Sequence, residues 1–506
     1  MGTALAPMAM LRFVRRARIG AFALSVLFLP AAGLCDTTAK PDASAQAVEQ
    51  TIAQIDAGQF AAASARIDQA LAQPTIDAKS REALEFQRER MRRILLDFTL
   101  TEDDAKARLR KQIPDLSDAE FAKWDSEGLF ERRVIDGRVL YFSRSPSNLF
   151  RLSHEALARR KEQTPLVNSP FESPNPHHRE VVDAARSSHK SSVAPRHLQV
   201  TQSLSVHADV VPAGENVRAW IPYPRALPGQ QEDIRFVSSE PAQHEIAPES
   251  TLQRTVLVEK RAEAGKPTKL SITYELTVYA QYHAVEGEKA VPASITPELA
   301  PFVAERPPHI MFTESLRLFS RQVVGNEKNP WRIAQKLYAA VDQVPWAGAL
   351  EYSTISNISE YALRAGHADC GQQTLLLMTL LRMNGIPTRW QSGMIFSDTT
   401  YNNLHDWGWL YIAPFGWLPM DVTFGRFDDP DPAIANFYLG GLDAYRIAFN
   451  DDFSRDFVPA KKFFRSETVD LQRGEAEWSG GNLYFNQWDY DFEWKFLPAS
   501  RAAGGK

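Results

Sequence analysis

One stretch, HADCGQQTLLLMTLLRMNGIP from His367 to Pro387, limits what this chain can fold into more than any other. Leu375, Leu376, Leu377, Met378, Leu380 and Leu381 leave almost no polar face, so a helix here must be buried on nearly every side at the centre of a domain. Asp369 can cap that helix and Gln372, three positions on, can close a capping box. Asn384-Gly385 and then Pro387 supply a left-handed stop and a breaker, so the helix is predicted over about Cys370–Met383. Cys370 then stands in the first turn, where unpaired backbone N–H groups and the positive end of the helix dipole favour thiolate over thiol. Most free cysteines are inert buried residues, and the rest of the chain has to overturn that expectation.

The 506 residues suffice for about three domains. Arg12, Arg15, Arg16 and Arg18 precede an apolar run from Ile19 to Leu29 and then Ala31, Ala32 and Gly33, the pattern of a secretory signal over residues 1–35. Its removal deletes four arginines and no acid, taking the formal charge from -5 to -9, a poor match for nucleic acid. The chain is therefore expected to be exported, periplasmic or secreted, without an integral membrane span. A lipid anchor on Cys35 is disfavoured by the bulky Leu34 before it. With two cysteines in all, Cys370 has no thiol partner beyond Cys35, and Cys-rich zinc sites are excluded. No cofactor is expected. A metal is expected neither at His177-His178, which lacks further ligand spacing, nor at Asp428–Pro432, which lacks a glycine turn and a bidentate Glu.

Along the chain the texture changes repeatedly. Residues 36–100 read as a helical hairpin region rich in alanine. Residues 101–160 read as two capped helices and a hairpin turning at Asp136-Gly137, a small winged-helix-like module suited to packing or docking. Residues 161–195, with Pro165, Pro170, Pro174 and Pro176, read as a surface linker. Short alternating strands over 196–285 predict a β-sandwich, and 286–506 form the last domain. The fold class expected is multidomain α+β. At the C-terminus, NQWDYDFEWKF reads as a strand with one aromatic face turned to the core of a closing sheet.

After the Cys370 helix come the strand TRWQSGMIF and then NLHDWGWLYIAPFGWLPMDVTF, two strands around a turn at Ala413–Gly416. A hairpin centred on Ala413 sets His405 directly opposite Asp421 on one face, provided the connection is longer than two residues or bulged. A thiolate can attack an amide or ester carbonyl, an imidazole can hold and return the proton, and a carboxylate can fix the imidazole tautomer. His367, three residues before the thiol, reads as a solvent-facing loop position rather than the base.

The segments GHADCGQQTLLLMTLLRMNGIPTRWQSG, LHDWGWLYI and GWLPMDVTFG together resemble the transglutaminase-like superfamily, in which a Cys opens a buried helix and His and then Asp follow on adjacent strands. Papain-like peptidases share the residue order, but Cys370 and His405 lie only 35 positions apart, which disfavours that branch. The resemblance implies a papain-like α+β core with Cys370 as nucleophile, His405 as base and acid, and Asp421 as the orienting carboxylate. It also implies cleavage or transfer of an amide acyl group of a protein or peptide, cell-wall peptide included, through a thioester. A non-catalytic scaffold retaining the fold is the alternative. Asp406 departs from the small residue usual between this His and Trp. Beside the Cys370 N–H, the second oxyanion donor has three weak candidates, Trp346, Tyr352 and Gln372.

Overall fold

In the computed structural model, which describes residues 43–498 apart from 165, 167 and 168, the chain divides into two units. The expected signal segment and Cys35 lie outside the described residues. The first unit holds residues 43–164 together with Ala347–Ser356. It opens with three helices, α1 (Ala43–Asp56), α2 (Phe60–Leu71) and α3 (Ala78–Asp97), instead of the hairpin expected over 36–100. The third exists because Asp77 caps it by accepting from Ser80 N, and because Leu84, Met91 and Ile94 bury one stripe. Helices α4 (Glu102–Arg110) and α5 (Asp118–Ser126) each start in a capping box, Thr101 with Asp104 and Ser117 with Glu120.

Strands β1 (Arg132–Ile135) and β2 (Arg138–Tyr141) form the expected hairpin, with Asp136 and Gly137 both at positive φ, as a two-residue turn of this hand requires. Helices α6 (Ser145–Leu152) and α7 (His154–Ala158) follow. The 347–356 segment is held in this unit by paired hydrogen bonds between Asn148 and the Gly348 backbone, 2.9 Å each, and by Arg90 Nε donating to Thr354 O. A module bounded at 101–160 does not contain it.

The second unit begins with a correction to the linker. Residues 176–188 form a helix, α8 (Pro176–Ser188), whose cap Asn175 accepts from the His177 and His178 N–H groups. Both histidines are buried, His178 completely, because they lie on the face that packs with Val181, Val182 and Ala185. Next come β3 (Ser192–Val206), β4 (Asn216–Pro222), β5 (Gln231–Glu240), β6 (His244–Ile246), β7 (Thr255–Arg261) and β8 (Thr268–Tyr282). Then follow α9 (Glu314–Val324), α10 (Pro330–Asp342), α11 (Ile358–Ala365) and α12 (Cys370–Met383). The remaining elements are β9 (Thr388–Phe396), β10 (Asn402–Ile412), β11 (Gly416–Met420), α13 (Pro432–Ala435), β12 (Gly441–Leu442), β13 (Arg446–Asn450), β14 (Glu475–Trp478), β15 (Gly481–Leu483) and β16 (Trp488–Phe496).

These strands make three antiparallel sheets. One runs β11-β10-β9-β13 and carries α12. The second runs β12-β8-β3-β16, with β5 also on β8, and the third runs β15-β14-β4-β7-β6. The boundary expected at 285 is therefore not a structural one: β12 and β14–β16 return from the C-terminal part to complete the two sheets started by β3–β8. One apolar cluster joins the three sheets, from Leu198 and Val217 through Ile272 to Trp407 and Ile447. In β16 only Trp488 and Phe492 are buried, while Tyr490 and Phe496 are exposed, so its aromatic face is half outside the core.

Candidate active site

Helix α12 has the predicted limits. Asp369 Oδ1 accepts from Gln372 N at 3.0 Å and Gln372 Oε1 accepts from Asp369 N at 3.2 Å. Every residue from Gly371 to Arg382 is buried, against α9, α10 and α11 on one side and β9 and β10 on the other. That packing fixes the backbone under Cys370, which is itself only partly buried. Its thiol donates to Asp406 Oδ2 at 3.1 Å. Asp406 Oδ1 accepts from Gln472 Nε2 at 3.0 Å, and the same amide group reaches His405 O at 2.9 Å.

His405 and Asp406 are adjacent on a strand whose pairing with β9 runs unbroken from Asn402 to Leu410, so their side chains leave opposite faces. His405 Nε2 meets Asp421 Oδ2 at 2.7 Å, and its ring lies flat on Phe424, 4.4 Å between centroids and 10° between planes. The structure thus brings His405 and Asp421 together and sets Cys370 against Asp406. Among the described residues no hydrogen bond links Sγ to the His405 ring.

The hairpin register differs from the expected one. Ile412 pairs with Gly416, leaving a three-residue loop that needs Gly416 at φ +83, and the ladder places Gly408 opposite Met420. Continuing that register puts Asp421 across from Trp407, so it reaches His405 diagonally, one pair along the same face.

Behind Asp421 stands a buried polar chain that sequence reasoning missed. Arg446, at the start of β13, donates to Asp421 Oδ2 at 3.0 Å and also to Asp443 Oδ2. Tyr438 Oη donates to Asp443 at 2.9 Å and lies 3.1 Å from His178 Nε2. His178 Nδ1 accepts from Asn175 N at 3.1 Å, so Nε2 carries the ring proton and donates to Tyr438. The Arg446 guanidinium is stacked 4.9 Å from the Trp407 ring centre. Burial raises the Asp421 carboxyl, but His405 and Arg446 outweigh it and hold the group below its usual range. Sequence offered one signal for this chain: the acid and base at 443 and 446 inside an otherwise apolar stretch.

The thiol side has the opposite balance. Burial first, then the Asp406 and Asp369 carboxylates, push Cys370 well above its ordinary value. The direction is opposite to the thiolate expected at the helix end, with burial and the two acids as its causes. Asp406 is in turn pushed up by burial and by Asp470. His367 is buried, not solvent-facing, because Ala368 beside it pairs with Trp346 in a short parallel bridge. That bridge places Trp346 two residues from the thiol. Gln372 is wholly buried with its carbonyl committed to the cap, and Tyr352 falls in the first unit.

Residues 317–422 match the transglutaminase-like superfamily, so the chain carries a transglutaminase-like domain that includes α12 and the β9–β11 strands. Among solved structures, a candidate cysteine protease from Cytophaga hutchinsonii is similar at 13% identity and a TM-score of 0.40, over 61% of this chain and 93% of that one. A candidate protease from Parabacteroides distasonis is similar at 8% identity and a TM-score of 0.18, over 45% of this chain and 67% of that one. No curated protein matches. Among the described residues no helix is long and apolar enough to cross a membrane.

Proposed function

We propose that the protein is an exported thiol enzyme that cleaves or transfers an amide acyl group of a protein or peptide. The observation that carries this reading is Cys370 at the capped end of a buried helix that packs on the strand of His405, whose ring is paired with Asp421 and, behind it, Arg446. Cys370 Sγ attacks the carbonyl carbon, its proton passes to His405, and the proton then reaches the leaving amine as the C–N bond breaks. Asp421 holds the imidazole in one tautomer and stabilises its charged form. Water returns the thioester to a carboxylate, or a second amine takes the acyl group. We favour water. The Cys370 backbone N–H is one oxyanion donor, and Trp346 is the better placed of the side-chain candidates.

Incubating the protein with glutaminyl and cell-wall peptides, with and without an added primary amine, tests this by mass spectrometry. Hydrolysis adds water across the amide, transfer adds the amine, and both should vanish in Cys370→Ala. The hydrogen bond from Cys370 to Asp406 instead of to His405 favours a second reading, a non-catalytic scaffold. Activity unchanged in Cys370→Ala would decide against a thiol enzyme and for that reading.

A further inference from the structure

We propose that Asp406 is a latch on the nucleophile: its Oδ2 takes the S–H hydrogen bond of Cys370 and holds the thiol neutral and out of hydrogen bond with His405, so that catalysis begins by breaking this bond. The inference deepens the thiol-enzyme reading and rests on it.

Three observations support the latch. The first is the contact itself, with Sγ as donor 3.1 Å from Oδ2. The second is that the acceptor cannot swing away. Asp406 is 2% exposed, its other oxygen is held by Gln472, and its backbone carbonyl accepts from Thr374 Oγ1 on α12 at 3.4 Å. Cys370, by contrast, turns about a single side-chain torsion between staggered positions, so Sγ can leave Asp406 with no movement of the helix.

The third is the charge around the thiol. Asp406 faces it from β10, Asp369 from the cap of its own helix, and Tyr401 from the chain entering β10. Asp470 lies behind Asp406, with Arg465 and Arg473 acting on Asp470. The groups that act on the sulfur are thus acids, and ionising Sγ in this position adds a negative charge among them. The direction of the Cys370 shift, upward from burial and from these two carboxylates, agrees with the geometry. A small residue at 406, the kind the family resemblance leads one to expect, would remove the acceptor.

The test is the pH dependence of iodoacetamide labelling at Cys370, which needs no substrate. Removing the latch in Asp406→Ala or Asp406→Asn should lower the labelling midpoint by about one pH unit or more, a roughly tenfold gain in thiolate at neutral pH. Removing the neighbouring acid in Asp470→Asn should leave Asp406 more fully charged, raise the midpoint and slow labelling. Asp406 variants that unfold cooperatively like the parent yet label with an unchanged or higher midpoint would overturn the latch. If they do not fold, Asp470→Asn decides, and unchanged or faster labelling there overturns it. A parent protein without amidase or transferase activity would remove the enzymatic reading while leaving the labelling result to stand on its own.

Discussion

His405 and Asp406 share one strand, are both almost wholly buried, and meet opposite surroundings. On the His405 face, Asp421 sits between an imidazole and the Arg446 guanidinium and accepts from Thr423 N, and its charge is stabilised despite complete burial. On the Asp406 face the neighbours are a thiol, a second carboxyl and an amide, and the carboxyl is pushed toward its neutral form. Burial acts in the same direction on both aspartates. What separates them is whether a cation has been buried alongside, and a helix or strand position alone does not supply one.

The largest effect that can break this comparison is on turnover. Asp421→Asn should lower amide turnover on the order of 10²- to 10⁴-fold, because the amide can hold the wrong imidazole tautomer, while leaving the Cys370 labelling profile as it was. Full activity would mean that the compensated face takes no part in the reaction.

Next in size is Arg446→Met, which strands two buried carboxylates and should cost about 3–5 kcal/mol in chemical unfolding. A loss under 1 kcal/mol would show that the two faces do not differ as described. Tyr438→Phe should cost about 1–3 kcal/mol, since it leaves His178 Nε2 and one Asp443 contact unmade.

The smallest effects are slopes with pH, at most about 1.4 kcal/mol per pH unit for each proton. Asp421 and Asp443 are held low, so their contribution is present above the ordinary carboxylate value of 3.8 and is lost as pH falls through their lower folded values. Asp406 and Asp470 are held high, so theirs is present below 3.8 and is lost as pH rises toward their folded values. Urea midpoints from acid to neutral pH should therefore lose their acid-side fall in Asp421→Asn and their fall above about pH 4 in Asp406→Asn. The reverse assignment would contradict the charge states given to the two faces.

The helix around Cys370 was legible because its determinants are local: a cap, a capping box, an apolar run and a stop within twenty or so positions. The same holds for the hairpin at Asp136-Gly137. What escaped the sequence depends on pairs far apart in the chain. Strand β16 has no local sign that it will lie on β3, with Trp488 across from Val206, and residues 176–188 read as linker because Pro170 and Pro174 before them and Pro176 at their start outweigh the apolar stripe that buries them. The His405 register was off by two positions because the loop, closed by a left-handed Gly416, is centred on Pro414 and not on Ala413. Asp406 was visible as a departure in the motif, but only the folded strand shows that its carboxyl meets the thiol.

The most direct measurement is intact-mass detection of an acyl adduct during turnover of an activated ester or amide. The account predicts a covalent adduct on Cys370 during turnover by the parent, formed more slowly in His405→Ala and absent from Cys370→Ala. Turnover with no adduct at any time, retained in Cys370→Ala, would contradict it.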